Sequence, residues 1–461
     1  MTPRMLSWIA QATNGRLVGT DRAIGAVATD TRALPQGRAA LFVALKGENF
    51  DGHDHVAAAA AGGCVAALVS REVDVAIPQV VVADSERALG ELAAAVQRER
   101  TMNVLAITGS NGKTSVKTLL LSILDQVGGA YANPGNRNNE IGLPLAVLDA
   151  PDDARVAVYE MGAGKPGDIA YLTAIARPDV ALVNNIAPAH LERMGSLLGV
   201  ADTKAAIYDA LPADGVAVIN ADDAFAPYFS ERAHGRRIVR IGLEASADIT
   251  ARDIHLAGEG SRFELVTPHG EVAIALPMPG RHNVRNALAA AAMALGAGAS
   301  LEQVRDGLNS VQPVAGRLVA HRLRSGAVLV DDSYNANPGS LDAAIDTLAA
   351  SGDQAWLVLG DMRELGADEV ALHAQAGARA KAAGIARLYT LGTLSQAAAD
   401  AFGAGARGFA SHAALADALG PELHAGVRVL VKGSRGSAMD KIVKSLLASD
   451  AAADKGEPHA A

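Results

Sequence analysis

A stretch around residue 110 contains the residue types that can hold the phosphates of a nucleotide. Residues 104–120, VLAITGSNGKTSVKTLL, run from a short apolar segment through a small, Gly-rich segment into helix-compatible residues, which predicts a strand, a loop and a helix. Gly109 and Gly112 allow positive φ, so several N–H groups and the positive end of the helix can face one anion. Lys113 would then reach the β- and γ-phosphates, and the Thr114 hydroxyl would bind Mg²⁺.

This loop departs from the full phosphate-loop pattern G-x-x-x-x-G-K-[ST]. Ile107 occupies the position of the first glycine. A shortened pattern is less specific, so by itself it also fits a Gly-rich turn that precedes a lysine. The apolar strand before it and the helix after it favour the nucleotide-binding interpretation.

Three further residues could act beside the phosphates. Glu160 closes the apolar run VAVYE, and His190 ends the segment VALVNNIAPAH, which begins as an apolar strand. A carboxylate and an imidazole at neighbouring strand ends fit a Mg²⁺ site. Mg²⁺ takes few protein ligands and completes its coordination with water and the substrate phosphates. The ordinary alternative is a structural role in a loop. Lys204 lies on a predicted helix, ADTKAAIY, where the ordinary alternative is an exposed lysine.

The elements around these residues predict an α/β fold. At 461 residues the chain is long enough for about three domains. Strand-like runs alternate with helical stretches, so we expect mostly parallel sheets. We expect a small α/β domain over 1–100, a central domain over 101–312, a doubly wound domain over 313–448 and a disordered tail over 449–461.

Charge and cysteine content exclude several classes of protein. The net charge is −9 and the chain has no basic run, which argues against nucleic acid as a partner. A single cysteine, Cys64, excludes an internal disulfide and a thiolate metal cluster, and its apolar neighbours predict a buried thiol. The chain has neither a signal-peptide core nor a run of ~18 apolar residues. We therefore expect a cytoplasmic protein with no membrane insertion. We also expect a monomer.

Two polar clusters in the first hundred residues lie at the ends of apolar strands. They are TDTR (29–32), and KGENFDGHDH (46–55) after the strand-like LFVAL. The ordinary interpretation is a pair of solvated turns. Their position favours ligand binding, because open α/β sheets bind ligands at strand ends.

Taken together, these segments resemble the Mur ligases of peptidoglycan precursor synthesis over nearly the whole chain. The matching strings are TGSNGKT (108–114), NNEIG (138–142), EMG (160–162), NNIAPAH (184–190), KAAIY (204–208) and GRHNVRN (280–286). Two more, DDSYNANP (331–338) and VLGDMRELG (358–366), are similar to the family member that adds D-alanyl-D-alanine. The DNPR motif of the diaminopimelate-adding ligase is absent from the chain.

The resemblance implies a UDP-binding domain, a central P-loop ATPase domain and a Rossmann-like C-terminal domain. It implies that ATP is held by Thr108, Gly109, Ser110, Asn111, Gly112, Lys113, Thr114, Asn283, Asn286, Arg317 and Asp332. It implies that the substrates are held by Asp30, Thr31, Arg32, Lys46, Gly47, Asp51, His53, Asn138, Asn139, Tyr334, Asn335 and Asn337. The implied metal residues are Thr114, Glu160, His190 and Lys204 as a carbamate, with two Mg²⁺ ions. The residues implied to be catalytic are Lys113, Glu160, His190 and Lys204.

The implied reaction is amide formation between UDP-N-acetylmuramoyl-tripeptide and D-alanyl-D-alanine through an acyl phosphate. Two alternatives remain open. One is a binding protein in which the phosphate loop is a conformational latch, and the other is a related ligase such as a folylpolyglutamate synthase. The sequence leaves the third residue of the peptide, diaminopimelate or lysine, undecided.

Overall fold

The computed structural model describes residues 1–188, 191–312, 314–352 and 354–452. In this part of the chain helices alternate with strands, and most strands pair in parallel. The α/β class expected from the sequence is confirmed.

The N-terminal part forms a five-stranded sheet and a separate two-stranded ribbon. Its strands are β1 (Arg4–Met5), β2 (Arg16–Val18), β3 (Ala23–Ile24), β4 (Ala26–Ala28), β5 (Ala40–Val43), β6 (Cys64–Val69) and β7 (Gln79–Val81). Its helices are α1 (Leu6–Ala12), α2 (Val56–Ala61) and α3 (Ser85–Arg98). The sheet order is β2-β7-β6-β5-β4, with only the β2–β7 pair antiparallel. Cys64 is buried on β6, as predicted.

The central part is a six-stranded parallel sheet followed by a three-stranded antiparallel sheet. The parallel strands are β8 (Asn103–Thr108), β9 (Ala130–Ala132), β10 (Val156–Glu160), β11 (Val180–Val183), β12 (Val216–Asn220) and β13 (Arg237–Ile241). The antiparallel strands are β14 (Thr250–Ala257), β15 (Gly260–Thr267) and β16 (Gly270–Leu276). The helices are α4 (Lys113–Leu124), α5 (Gly142–Asp149), α6 (Asp168–Ala176), α7 (Leu191–Met194), α8 (Leu197–Asp209), α9 (Ala226–Arg232), α10 (Arg281–Gly296) and α11 (Leu301–Ser310).

The parallel sheet has the order β13-β12-β11-β8-β10-β9 and is covered on both faces. Helices α4 and α10 pack on one face, and α5, α6 and α8 on the other. Burial on both faces explains why these strands are continuous apolar runs rather than alternating ones. Strand β8, which leads into the phosphate loop, lies between β11 and β10. The ends of these three neighbours therefore meet at one edge.

Helix α3 joins the first two parts. Its apolar face packs against α5 and α6, and one core runs from the N-terminal sheet into the central domain. Gly90 is required at this contact, because a Cβ there would lie 2.1 Å from the Tyr171 hydroxyl oxygen.

The C-terminal part is a second doubly wound sheet. Its strands are β17 (Val319–Arg322), β18 (Val328–Asp332), β19 (Gln354–Gly360), β20 (Arg387–Leu391), β21 (Ala406–Phe409) and β22 (Val427–Lys432). Its helices are α12 (Pro338–Ala349), α13 (Glu369–Ala382), α14 (Gln396–Phe402), α15 (His412–Leu419) and α16 (Asp440–Ala452). The order is β17-β18-β22-β19-β20-β21, and only the β17–β18 pair is antiparallel.

The end of the chain differs from the expected boundary. Helix α16 continues to Ala452, past the predicted start of a disordered tail at 449. Its buried Ile442, Val443 and Leu446 pack on the C-terminal sheet and anchor it. The remainder of the predicted tail, 453–461, lies outside the described residues. Among the helices that the structure describes, none combines the length and the apolar character needed to span a bilayer.

Candidate active site

The phosphate loop has the predicted strand, turn and helix. Gly109 and Gly112 have φ of 148° and 77°, and α4 begins at Lys113. A Cβ at Gly112 would lie 2.5 Å from Asn184 Nδ2 and 2.6 Å from Asn286 Oδ1, so the position has no room for a side chain. Lys113 Nζ donates to the Gly109 carbonyl at 2.7 Å. The lysine thus folds back over the loop, where a bound phosphate would lie.

A group of asparagines braces this loop. Asn184 Nδ2 donates to the Asn111 carbonyl at 2.9 Å and to Asn286 Oδ1 at 3.0 Å. Asn286 Nδ2 donates to Asn283 Oδ1 at 3.1 Å. The Asn111 N–H donates to Asn185 Oδ1 at 2.9 Å. The two asparagines expected to approach adenine, Asn283 and Asn286, are therefore also structural supports of the loop.

Glu160 at the end of β10 is buried beside the loop. Its Oε2 accepts from the Thr114 hydroxyl at 3.0 Å and lies 3.2 Å from Lys117 Nζ, while Oε1 accepts from Asn138 Nδ2 at 3.0 Å. Burial acts to raise the pKa of this carboxyl, but Lys117, then Lys113 and the hydrogen bonds outweigh it and hold the pKa below its usual range. Glu160 is thus an anionic oxygen ligand held beside the Thr114 hydroxyl.

Lys117 was not singled out from the sequence. It is buried on α4, and besides Glu160 its Nζ contacts the carbonyls of Asn133 at 3.0 Å and Gly135 at 3.2 Å. Asn133 in turn exchanges two hydrogen bonds with the Glu160 backbone, each 2.9 Å long. The available signal was its spacing, since Lys117 lies one turn after Lys113 and residues four apart share a helix face.

Lys204 is not the exposed helix lysine of the ordinary interpretation. Only 3% of it is exposed, and it lines the cleft beside the phosphate loop. Burial, and next the charge of Lys113, lower the pKa of its ammonium from 10.5 to about 7, while Asp168 acts in the opposite direction. A large share of this lysine is therefore an uncharged amine at neutral pH.

The C-terminal domain contributes groups to the other side of the cleft. Arg317 Nη2 donates to the Thr114 hydroxyl at 2.9 Å, and its guanidinium carbon lies 4.3 Å from the centre of the Tyr334 ring. Asn337 Nδ2 donates to Asn111 Oδ1 at 2.7 Å. Residues far apart in the chain thus meet at the phosphate loop.

Asp332 at the end of β18 forms a buried ion pair that the sequence did not predict. Its Oδ2 lies 2.6 Å from Lys432 Nζ, which also donates to the Asn335 carbonyl at 3.0 Å. Burial raises the pKa of the Asp332 carboxyl in spite of this lysine. Lys432 ends β22 in the segment VKGSRG, so its position at a strand end was the available signal.

These groups surround a cleft of ≈ 710 Å³ between the central and C-terminal domains. Its lining includes most of the predicted ATP residues and Asn138, Asn139, Tyr334, Asn335 and Asn337. Thr108 differs, because it is fully buried and its hydroxyl donates to the Met161 carbonyl at 2.9 Å. The Thr108 side chain, which was predicted to contact the nucleotide, therefore does not line the cleft. His190 lies outside the described residues.

The cleft contains oxygen atoms beside the phosphate loop that could bind Mg²⁺. The described residues contain no group of three or more His, Cys, Asp or Glu side chains that could hold a metal by itself. Mg²⁺ does not need one, since it binds through one or two protein ligands, water and substrate phosphates. The buried Glu160 carboxylate and the adjacent Thr114 hydroxyl are hard oxygen donors of that kind, so the site fits Mg²⁺.

The predicted UDP-binding residues form a separate group, because no residue of the first 108 lines the cleft. Asp30 and Arg32 pair with each other at 2.6 Å, with Thr31 between them. His53 is buried; its Nδ1 donates to Asp51 Oδ1 at 2.5 Å and its Nε2 accepts from the Ser70 N–H at 2.8 Å. The backbones of Lys46 and Asp51 pair in an isolated antiparallel β-bridge, and Gly47 lies against the Phe50 ring. His53 and Asp51 thus shape the loop that would meet the ligand.

The fold and the cleft define a three-domain α/β protein with a nucleotide-type phosphate loop. The family models that match are the Mur ligase middle domain over residues 107–294, the Mur ligase glutamate ligase domain over residues 316–435, and the Mur ligase family catalytic domain over residues 24–108. The chain belongs to the Mur ligase family.

Individual relatives match over nearly their whole length. The UDP-N-acetylmuramoyl-tripeptide–D-alanyl-D-alanine ligase of Escherichia coli (strain K12) is 45% identical over 444 residues, which are 96% of this chain and 98% of the relative. A crystal structure of MurF from Acinetobacter baumannii has a TM-score of 0.91 at 34% identity and covers 97% of this chain and 99% of its own. MurF from Thermotoga maritima, solved in complex with ADP, has a TM-score of 0.84 at 26% identity, with coverage of 93% and 98%. The expected three-domain organisation is confirmed.

Proposed function

We propose that this protein is the ATP-dependent ligase that joins D-alanyl-D-alanine to UDP-N-acetylmuramoyl-tripeptide. The observation that carries the proposal is the meeting of Lys113, Thr114 and Glu160 with Arg317 of the C-terminal domain in one cleft. The full-length similarity to a ligase of that name supports the choice of substrates. The product is the UDP-linked pentapeptide used for peptidoglycan, made in the cytoplasm, where ATP and UDP-linked precursors are found.

The reaction has two steps. First, a terminal carboxylate oxygen of the tripeptide attacks the γ-phosphorus of ATP, so a C–O–P bond forms, the bond to the β-phosphate breaks and ADP leaves. Second, the amine of the dipeptide attacks the acyl carbon, loses a proton and displaces phosphate. The first step demands mainly alignment and neutralisation of charge, because phosphoryl transfer involves little covalent chemistry on the protein.

The residues of the cleft supply both requirements. Lys113 turns over the loop toward the phosphates, and Arg317 approaches the same place from the opposite domain. Thr114 and Glu160 would hold Mg²⁺, which would neutralise phosphate charge. Asn138, bonded to Glu160, places the segment expected to contact the peptide beside the reacting phosphate.

Lys204 supplies a second anionic group in this proposal. A buried lysine with a large uncharged fraction can add carbon dioxide to its amine, with loss of one proton, to give a carbamate. The carbamate is an oxygen ligand, whereas an ammonium in the same place would repel a second Mg²⁺. His190, expected beside it, is proposed as a further residue of the metal shell.

The two alternatives differ in measurable ways. A conformational latch would bind ATP without releasing ADP on substrate addition, and a folylpolyglutamate synthase would require a folate acceptor. We expect ADP release when ATP, Mg²⁺, UDP-tripeptide and D-alanyl-D-alanine are all present, and little when the dipeptide is left out. Lys113→Ala should abolish this release while the fold is retained, because the side chain contacts the phosphate loop rather than a core. Release that depends on folate and glutamate instead would replace the proposal.

A further inference from the structure

Arg435 stands out among the cations of the cleft. It follows β22 in the segment VKGSRG, is exposed and lines the cleft. Its guanidinium carbon lies 5.3 Å from the centre of the Tyr334 ring. Within the described part of the chain, no carboxylate or carbonyl accepts a hydrogen bond from its side chain. Asp440, an acid whose pKa the Arg435 charge helps to lower, is bonded to Lys444 at 2.7 Å.

The other cations that the C-terminal domain presents to the cleft already have acceptors. Arg317 is bonded to Thr114, and Lys432 is bonded to Asp332 and to the Asn335 carbonyl. Both guanidinium groups, that of Arg317 and that of Arg435, lie against the Tyr334 ring. Arg317 contacts the phosphate loop, so Arg435 is the described cation on the C-terminal side of the cleft that remains for a second anion.

We propose that Arg435 binds the free carboxylate of the incoming dipeptide and so selects acceptors that carry one. This inference rests on the proposed function. D-alanyl-D-alanine reacts through its amine and keeps its carboxylate, which needs a positive partner when it leaves water. A guanidinium offers two parallel N–H donors to a carboxylate, and stacking on an aromatic ring holds its plane. The amine end would then point toward the phosphate loop, where the acyl phosphate forms.

The test compares two acceptors that differ only in charge, D-alanyl-D-alanine and its C-terminal amide. In the unaltered protein we expect kcat/KM to favour the dipeptide by about 10- to 100-fold, the range of a hydrogen-bonded charge. Arg435→Ala should lower kcat/KM for the dipeptide by a similar factor, mainly through KM, and leave the amide nearly unaffected. The KM values for ATP and UDP-tripeptide should not change. Arg435→Lys should keep part of the preference, because it keeps the charge but not the fork.

Arg193→Ala is the matched control, since it removes another exposed arginine that lines the same cleft from the central domain. We expect it to keep the preference for the dipeptide. An Arg435→Ala protein that retains the full preference, or that loses activity equally on both acceptors, would overturn the inference. If the unaltered protein ligated neither acceptor, the proposed function itself would fail, which is a different result.

Discussion

At the scale of single residues, the cleft pairs most of its buried charges. Glu160 has Lys117, and Asp332 has Lys432. Lys204 is the exception, because the charge that affects it most is another cation, Lys113. An unpaired buried charge is costly, and a lysine in such a place tends to lose its proton. That property suits chemical modification better than ion pairing.

Lys204→Ala should therefore lower ligation by about 10²-fold or more, the scale at which lost charge stabilisation is felt in an active site. Formate or acetate added to this variant should restore part of the activity, because a small carboxylate can enter the space left by the carbamate. The measurement is ADP release against carboxylate concentration. Lys165→Ala, which removes an exposed lysine of the same cleft, should keep its activity and show no response to formate. Full activity of Lys204→Ala would show that Lys204 has a structural role and no role in the reaction.

Residue types and spacing were enough to predict the phosphate loop and the strand-end position of Glu160. They were not enough for Lys117 or Lys432, whose partners lie 16 to 100 positions away in the chain. Such contacts depend on which strands become neighbours, and a single sequence carries no direct signal of that pairing. The ordinary interpretation of Lys204 as an exposed lysine is wrong for the same reason, since its helix packs against strands from other segments.

At the scale of elements, one side chain fixes helix α8 against the central sheet. The Tyr208 hydroxyl accepts from the Val183 N–H at 2.9 Å and donates to the Val218 carbonyl at 2.7 Å. It thus links α8 to β11 and β12. Lys204 lies four residues earlier, on the same face of the helix. The tyrosine therefore sets the position from which Lys204 reaches the cleft.

Tyr208→Phe should lower the free energy of unfolding by about 1–3 kcal/mol, because a buried N–H and a buried carbonyl lose their partner. The measurement is the urea midpoint of the transition that includes the central domain. Tyr228→Phe is the matched control: that ring also packs against Phe229, but its hydroxyl bonds to the largely exposed Asp202. We expect the control to change stability by less than about 0.5 kcal/mol. Equal midpoints for the two variants would contradict this account of α8.

The elements themselves were largely predictable, because apolar runs and Gly-rich loops mark strands and turns. The antiparallel pairing of the edge strands β2 and β17 was not predicted, because it depends on the direction in which the chain returns to the edge of the sheet. The end of α16 was placed too early because the Ala-rich sequence after 448 has no clear periodicity, although Leu446 holds the helix to its sheet.

At the scale of the molecule, side chains of the C-terminal domain reach across the cleft to the phosphate loop. Arg317 and Asn337 reach from the C-terminal domain to Thr114 and Asn111 of the phosphate loop. A bound nucleotide would lie among these groups, so its phosphates would replace or extend these two hydrogen bonds between the domains. A ligand that contacts both domains shifts the population toward the closed arrangement by the difference in its affinity for the two states.

We therefore expect the radius of gyration to fall when an ATP analogue, Mg²⁺ and UDP-tripeptide are added together, as measured by small-angle scattering. The physical reason is that the nucleotide gives Arg317 a charged partner stronger than the Thr114 hydroxyl. Arg317→Ala should bind the same ligands with less compaction, because the C-terminal domain then lacks that partner. Arg379→Ala is the control, since it removes an exposed arginine of the same domain that pairs with Asp346 of that domain, away from the cleft. An unchanged radius in the unaltered protein with all three ligands bound would rule out ligand-driven closure and leave the domains fixed as the structure has them.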